Sequence, residues 1–359
     1  MHSISSKAEL TIQVTVVITV WYRYKFLEEA LESVVNQNAP SSDYEILLVG
    51  KIDENILNKI ISKVKIKRGD VKIAYEEVNE ESIGAKLYKA IKIANGKIIT
   101  FLEDDDIFYH NKLSVIEKLI NCEEKRSFLR HAVDLIDEKS NVISRTERVE
   151  SNPVYITNED WFNLKLPSRH SVKFASVSSM AICKSLLENY SDFIRRIKFS
   201  PDILVLLISA LSLGQKIYYL DPLGAYRLYR DSFGSGYGSF DEFIKTSRFK
   251  YKSWYEDGLV YSKMLEGNKR LWDINLGVTV LYKILFNIFN NNNSDIKLTV
   301  KDLKTIIYLM RSTYTSKTLS LKALGLYILS YLPYQLRKKI LMERIFKDKI
   351  KIYTKKSNL

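Results

Sequence analysis

The chain has 359 residues, of which 46% are hydrophobic and 27% charged, so it is long enough for a substantial buried core. It has only two cysteines, Cys122 and Cys183, so we expect no disulfide framework and interpret both as buried thiols. The apolar run at 12–21 is short and interrupted by threonine, which argues against a signal peptide. Because no stretch reaches about 18 uninterrupted apolar residues, we also expect no membrane-spanning helix.

The net charge of +13 is concentrated near the C-terminus. Residues 301–359 contain 14 Lys and Arg against 3 Asp and Glu, a net charge of +11. A basic segment with interleaved aromatic residues predicts contact with an anionic membrane surface or with nucleic acid. We expect no nucleic-acid partner, because no base-reading module is recognisable.

The first hundred residues alternate between the periodicities of strands and helices. The expected strands are at 14–20, 45–49, 71–76 and 98–102. The expected helices between them are at 27–35, 54–64 and 83–94. This βαβαβαβ order predicts a parallel, doubly wound α/β sheet with right-handed crossovers.

The pattern is less regular after residue 106. Here we expect helices at 111–121 and 201–213, and strands at 128–136, 172–182, 216–220 and 225–229. The glycine-rich run 232–238 is interpreted as a domain boundary, and either as a lid over a bound ligand or as an ordinary linker. Beyond it the chain is predicted to be helical, so we expect one domain over 1–232 and a helical extension over 233–359.

Four consecutive acidic residues, 103–106, follow the predicted strand 98–102. Neighbouring carboxylates repel one another, so a positive partner is expected there, and a hard divalent cation prefers oxygen ligands. Ligands of open α/β sheets collect at the carboxyl ends of the strands. The segment therefore predicts a metal-assisted site, with a solvated acidic loop capping the next helix as the alternative.

Four segments, 14–23, 26–37, 44–49 and 94–106, resemble the family 2 glycosyltransferases in their order and spacing. The resemblance covers about residues 12–232. It implies a glycosyltransferase-A-like fold, with a Rossmann-like, mostly parallel sheet flanked by helices. It also implies a nucleotide-diphosphate sugar donor, Mg²⁺ or Mn²⁺ as cofactor, and inversion of the anomeric centre.

The resemblance implies roles for individual residues. Asp104 matches the acid nearest the donor, and Asp105 or Asp106 matches the metal-binding acid, with Asp105 favoured by spacing. Asp202, directly after Pro201, matches the base that deprotonates the acceptor; the alternative is an ordinary acid at a helix N-terminus. The other residues expected to bind the donor are Thr19, Trp21, Arg23, Lys86, Arg227 and Arg230.

The chain departs from the family pattern at two important positions. Gly50 stands where an Asp typically contacts the nucleobase, and Asp53 is near but out of register. Tyr229 stands where a His is common, so Arg230 is expected to supply the missing charge. The identity of the nucleobase therefore stays open.

We predict an inverting, metal-dependent glycosyltransferase of the hexosyltransferase type that acts on a glycan or lipid-linked acceptor. The amphipathic basic segment 336–346 is interpreted either as lying on anionic lipid or as packing on the rest of the chain. The first interpretation predicts a peripheral protein at the cytoplasmic face of the cell membrane. The alternative function is a catalytically silent binding protein that keeps the fold and attaches to a membrane or partner through its tail.

Overall fold

The computed structural model describes residues 12–22, 24–40, 43–67, 70–146, 153–157, 176–229, 239–290, 296–312 and 317–341. The chain divides into two compact units. Unit 1 comprises Met1–Arg195 and Pro201–Arg227, and unit 2 comprises Arg196–Ser200 and Leu228–Leu359. The glycine-rich run 232–238, with the expected boundary and lid, lies outside the described residues, so that division stays a prediction.

Unit 1 is an α/β structure. Its described strands are β1 (Val14–Trp21), β2 (Tyr44–Lys51), β3 (Lys72–Glu77), β4 (Ile98–Glu103), β5 (Ile107–Phe108), β6 (Arg126–Ile136), β7 (Val142–Ser144), β8 (Val154–Ile156), β9 (Met180–Cys183) and β10 (Gln215–Arg227). Its described helices are α1 (Leu27–Val35), α2 (Glu54–Lys67), α3 (Ile83–Ile93), α4 (Lys112–Leu119), α5 (Lys184–Glu188), α6 (Ser191–Ile194) and α7 (Pro201–Leu211).

These strands form one sheet, in which eight strands follow the order β3-β2-β1-β4-β9-β6-β10-β5, while β7 pairs with β6 and β8 pairs with β10. Strand β1 is parallel to β2 and β4, and β2 is parallel to β3, which confirms the predicted first half. Strand β9 is antiparallel to both β4 and β6, so the second half is mixed. The expectation of two strands at 216–220 and 225–229 was wrong, because β10 continues through Pro222. Register shifts on both sides of Pro222 accommodate this residue, which cannot donate a hydrogen bond to the sheet.

The packing of α1 and the register of β1 bring the strand ends together. The apolar residues of α1 recur on one face and are all buried in the core of unit 1; they are Leu27, Ala30, Leu31, Val34 and Val35. Within the sheet, Thr19 of β1 lies opposite Val49 of β2 and Glu103 of β4. The carboxyl ends of β1, β2 and β4 therefore lie side by side, as the sequence predicts for a ligand site.

The expectation of two free thiols was wrong, because Cys122 and Cys183 form a disulfide with a Cα–Cα distance of 5.8 Å. The start of β4 brings the two residues together. Cys183 pairs with Ile98 across the β4–β9 ladder, and Cys122 Sγ lies 3.9 Å from the carbonyl oxygen of Lys97. The pairing was not foreseeable from sequence, because 61 residues separate the two cysteines.

The described part of unit 2 after residue 239 is mostly helical, as predicted for the C-terminal extension. Its helices are α8 (Phe240–Met264), α9 (Lys269–Phe289), α10 (Val300–Arg311), α11 (Lys317–Ser330) and α12 (Tyr334–Ile340). Helix α9 packs against α8, α10, α11 and α12 around an apolar core that includes Phe243 and Phe289. Their rings meet edge to face, with centroids 5.5 Å apart.

Helix α9 is long and apolar enough to cross a membrane by length and composition alone. Two of its buried polar side chains instead bond to neighbouring helices of unit 2. The carboxylate of Asp273 accepts hydrogen bonds from Tyr308 and Ser312, and Asn275 donates to the carbonyl oxygen of Gly258. These contacts are typical of a helix that packs in a protein core. The expectation that the chain lacks a membrane-spanning helix stays a prediction.

Gly50 occupies a position in β2 that other residues cannot adopt without strain. Its φ is +138°, in the region that favours glycine. A Cβ atom added there would lie 1.9 Å from the carbonyl oxygen of Val20, its neighbour in β1. The close approach of β1 and β2 therefore explains why this position carries glycine rather than a residue with a side chain.

We predict that Gly50→Ala lowers the free energy of unfolding by roughly 2–4 kcal/mol, because the backbone of β1 or β2 must move. The matched control is Gly325→Ala in α11, where the added Cβ would have no atom within 4 Å. This control should gain up to about 1 kcal/mol from helix propensity. Urea denaturation followed by circular dichroism measures both, and a Gly50→Ala protein as stable as the wild type would contradict the account.

Candidate active site

The acidic segment forms a tight turn at the end of β4. The backbone N–H of Asp106 donates to the carbonyl oxygen of Glu103 at 3.2 Å, which reverses the chain between β4 and β5. Asp104 and Asp106 are buried, whereas Glu103 and Asp105 are partly exposed. Of the two candidate metal ligands, Asp105 is therefore the one that is partly exposed to solvent.

Asp106 holds the turn in place. Its Oδ1 accepts the backbone N–H of Arg227 at 3.0 Å, and its Oδ2 lies 3.3 Å from the hydroxyl of Ser176. The same hydroxyl donates to Glu103 Oε2 at 3.0 Å. Burial, followed by the negative charge of Asp105, raises the pKa of Asp106 to about 7. Asp106 thus connects the acidic turn to β10, and the charge of Asp105 affects its protonation.

Arg227 supports the same turn from behind. Its Nε donates to the carbonyl oxygen of Asp105 at 2.7 Å, and its Nη2 donates to Glu29 Oε2 of α1 at 2.7 Å. Its Nη1 donates to the hydroxyl of Ser140 at 2.9 Å, and the guanidinium lies 4.3 Å from the ring centre of Phe26. The side chain is only 1% exposed. Direct contact of Arg227 with a donor diphosphate stays a prediction, and in this structure the guanidinium is enclosed by protein groups.

The charge of Asp202 acts on the acidic turn, because it contributes to the raised pKa of Glu103. Asp202 lies in the first turn of α7, directly after Pro201. Burial raises the pKa of Glu103 well above its usual range, and the charges of Asp106, Asp105 and Asp202 raise it further. Asp202 is therefore close enough for its charge to act on Glu103, and α7 packs against 177–179, where the Ser178 hydroxyl accepts the backbone N–H of Glu103 at 2.9 Å. The role of Asp202 as base stays a prediction.

Tyr226 lies within the same group of acids. Burial raises the pKa of its phenol, and the carboxylates of Glu103, Asp106, Asp105 and Asp202 raise it further. Sequence reasoning missed Tyr226 as a site residue, and it included Glu103 in the acidic segment without assigning it a role. The available signal was position, because Tyr226 directly precedes Arg227 in the strand expected at this edge, and Glu103 ends the buried strand β4.

A buried lysine, Lys112, lies near the acidic turn, and sequence reasoning also missed it. Lys112 in the first turn of α4 is fully buried, and its Nζ donates to the carbonyl oxygen of Ser178 at 2.5 Å. The ammonium also lies 3.4 Å from the ring centre of Phe108. Burial lowers the pKa of Lys112 well below its usual range, while the charge of Asp106 opposes this shift. Lys112 therefore provides only partial compensation for the negative charge of the acidic turn.

The candidate donor residues at the end of β1 are also close together. Lys86 is buried, and its Nζ lies 4.5 Å from the ring centre of Trp21. Tyr22 follows with a positive φ of 53° and packs edge to face on Trp21. Thr19 lies opposite Glu103, at the same edge of the sheet. The other two expected donor residues, Arg23 and Arg230, lie outside the described residues.

Asp53 has a structural contact near this edge. Its Oδ1 accepts the backbone N–H groups of Asn55 at 2.9 Å and Ile56 at 3.2 Å. These bonds satisfy two otherwise unpaired donors at the start of α2. Asp53 therefore acts as a helix cap, in agreement with its position out of register with the family's nucleobase acid.

The residues of the site fit a hard divalent cation bound together with its substrate. Among the residues that the structure describes, no group of three or more His, Cys, Asp or Glu could hold a metal ion by itself. Mg²⁺ commonly takes one or two carboxylates from the protein and its other ligands from phosphates and water. Asp105, which is partly exposed, offers one carboxylate of this kind.

Comparison with known proteins agrees with this architecture. Residues 15–190 match the family model "Glycosyl transferase family 2". The poly(ribitol-phosphate) beta-glucosyltransferase of Bacillus spizizenii is 35% identical over 95 residues, which cover 26% of this chain and 15% of that protein. An uncharacterized glycosyltransferase of Rickettsia bellii is 30% identical over 132 residues, 36% of this chain and 18% of that protein. The matches thus span less than a fifth of the length of these two relatives.

Solved structures show the same fold over a longer part of the chain. The structure of S. aureus TarS 1–349 in complex with UDP-GlcNAc superposes with a TM-score of 0.51 and covers 92% of both chains. A second structure of TarS 1–349 gives a TM-score of 0.50 over the same share. The sequence identities of 12% and 14% limit this likeness to the fold. The family match shows that residues 15–190 of this chain are a glycosyltransferase family 2 domain, and the mixed α/β sheet agrees with the fold of the solved structures.

Proposed function

We propose that this protein transfers a hexosyl group from a nucleotide-diphosphate sugar to a hydroxyl of a glycan or lipid-linked acceptor, with inversion and with a divalent cation. The observation that supports the proposal is that Asp202 lies in the first turn of α7, a helix that packs against 177–179, the segment bonded to Glu103 of the acidic turn. A base and a cation-binding carboxylate in one site are the two groups that an inverting displacement requires.

Asp105 would hold Mg²⁺ or Mn²⁺, and Asp104 would lie nearest the donor. A bound cation would stabilise the negative charge that the nucleoside diphosphate gains as it leaves. Asp106 is assigned a positioning role, because its carboxylate is buried and bonded to the backbone of Arg227. Arg227 is assigned the same role, since its Nε bond fixes the carbonyl oxygen of Asp105.

Asp202 would act as the general base. It would accept the proton of the acceptor hydroxyl while the hydroxyl oxygen forms a bond to the anomeric carbon. The bond between that carbon and the diphosphate oxygen breaks on the opposite side, so a single displacement inverts the centre. Thr19, Trp21 and Lys86 would line the donor side of the site, where Trp21 and Lys86 already contact each other.

The comparisons support a choice of donor and acceptor class. TarS binds UDP-GlcNAc in a structure with the same fold, so we propose a uridine-diphosphate hexose or N-acetylhexosamine as donor. Two relatives are named as poly(ribitol-phosphate) transferases, which act on an anionic polymer. The net charge of +13 suits such an acceptor, so we propose a phosphate-bearing glycan, free or lipid-linked.

We predict that Asp105→Asn and Asp202→Asn each lower kcat by roughly 10²–10⁴-fold, because each removes a charge needed in the transition state. The assay follows release of UDP from UDP-GlcNAc with Mn²⁺ and a poly(ribitol phosphate) acceptor. Asp53→Asn is the matched control and should retain activity, since Asp53 caps α2. Wild-type protein without transfer of any tested nucleotide sugar would instead favour the catalytically silent binding protein.

We predict that Asp106 makes the metal-free protein less stable as the pH rises. Its folded pKa of about 7 lies above the unfolded value of about 4, so the folded state holds the proton more tightly. This contribution is fully present below about pH 4 and is lost between about pH 4 and pH 7. In EDTA, the free energy of unfolding of Asp106→Asn should therefore rise relative to that of wild type between about pH 4 and pH 7, by on the order of 2–4 kcal/mol in total. Urea denaturation at each pH measures this difference. A difference in the free energy of unfolding between the two proteins that stays constant from about pH 4 to pH 7 would contradict the assignment.

A further inference from the structure

Helix α11 is apolar on two different sides. One side includes Ser320, Ala323 and Tyr327, which are buried in unit 2, and the phenol of Tyr327 donates to the carbonyl oxygen of Thr299 at 3.1 Å. Another side carries Leu321 and Ile328, seven residues apart, which are 57% and 63% exposed. A helix at the surface of a globular protein normally carries polar residues on its exposed side.

The exposed apolar side chains continue past the end of α11. Tyr331 is 63% exposed and Leu336 in α12 is 45% exposed. Between Leu321 and Ile328, a Cβ added at Gly325 would have no neighbouring atom within 4 Å. We call Leu321, Ile328, Tyr331 and Leu336 the outer apolar surface. Four large apolar side chains are thus exposed within sixteen residues, and Leu321 and Ile328 lie on one side of α11, which is more apolar exposure than single scattered residues give.

Positive charge surrounds this surface in the sequence. Lys317, Lys322 and Lys339 are exposed on the same two helices. The last 59 residues carry 14 Lys and Arg against 3 Asp and Glu. The partner must therefore offer an apolar environment for the Leu, Ile and Tyr side chains and negative charge for the lysines.

We propose that the outer apolar surface binds the interface of an anionic lipid bilayer. Leu, Ile and Tyr side chains gain free energy in the region between head groups and acyl chains, and lysines gain from anionic head groups. A second copy of this chain would bring two segments of net charge +11 together, which repel. Nucleic acid would attract the lysines but would leave Leu321 and Ile328 in water. The anionic inner leaflet of the cell membrane fits both properties.

The test is flotation of the full-length protein with vesicles of phosphatidylcholine alone or mixed with phosphatidylglycerol. We expect binding only to the vesicles with phosphatidylglycerol, and weaker binding in about 0.5 M NaCl because salt screens the lysines. The Leu321→Ser/Ile328→Ser variant, which keeps the net charge, should lower the partition coefficient by roughly tenfold or more. Ile66→Ser is the matched control and should bind like wild type, because Ile66 lies in α2 of unit 1 and is 86% exposed.

Three results would overturn the proposal. The first is wild-type protein that does not bind phosphatidylglycerol vesicles. The second is a folded Leu321→Ser/Ile328→Ser variant, checked by circular dichroism, that binds as wild type does. The third is self-association in sedimentation velocity that this variant abolishes, which would assign the surface to a second copy of the chain. None of these results depends on glycosyl transfer, so they leave the proposed reaction untouched.

Discussion

Repulsion among the carboxylates at the end of β4 is the physical constraint on which the rest of the site depends. After burial, the pKa of the Tyr226 phenol is raised further by four carboxylates, those of Glu103, Asp106, Asp105 and Asp202. Their negative charges therefore all act at the same buried phenol. The buried ammonium of Lys112 offsets only part of this charge, since burial itself lowers the pKa of Lys112. The remaining charge is the reason that we propose a cation, together with a diphosphate, as the ligand of this site.

The fold maintains this unfavourable arrangement through contacts that are distant in sequence. Arg227 bonds to Glu29, 198 residues earlier in the chain, and to the carbonyl oxygen of Asp105. Ser176 bonds to Glu103 and lies beside Asp106, so the segment before β9 also holds the turn. A strained or charged functional site persists only where the surrounding structure determines its geometry. Here β10, α1 and the Ser176 segment do so together.

Local pattern was sufficient to predict the parallel half of the sheet, the buried face of α1 and the position of the acids at a strand end. These features depend on periodicity within a few residues and on the rules of parallel connections. The disulfide of Cys122 with Cys183, the continuous β10 and the antiparallel β9 depend on pairings between distant segments, which a single sequence does not reveal. The same holds for Lys112 and Tyr226, whose roles follow from three-dimensional proximity to Asp106.

We propose that the acidic turn binds a divalent cation together with a nucleotide-diphosphate sugar. Isothermal titration calorimetry of UDP-GlcNAc into the wild-type protein, once in Mn²⁺ and once in EDTA, measures this coupling. We expect binding roughly tenfold tighter or more in Mn²⁺, because the cation would join the carboxylate of Asp105 to the diphosphate. Equal affinity for UDP-GlcNAc in Mn²⁺ and in EDTA would contradict it.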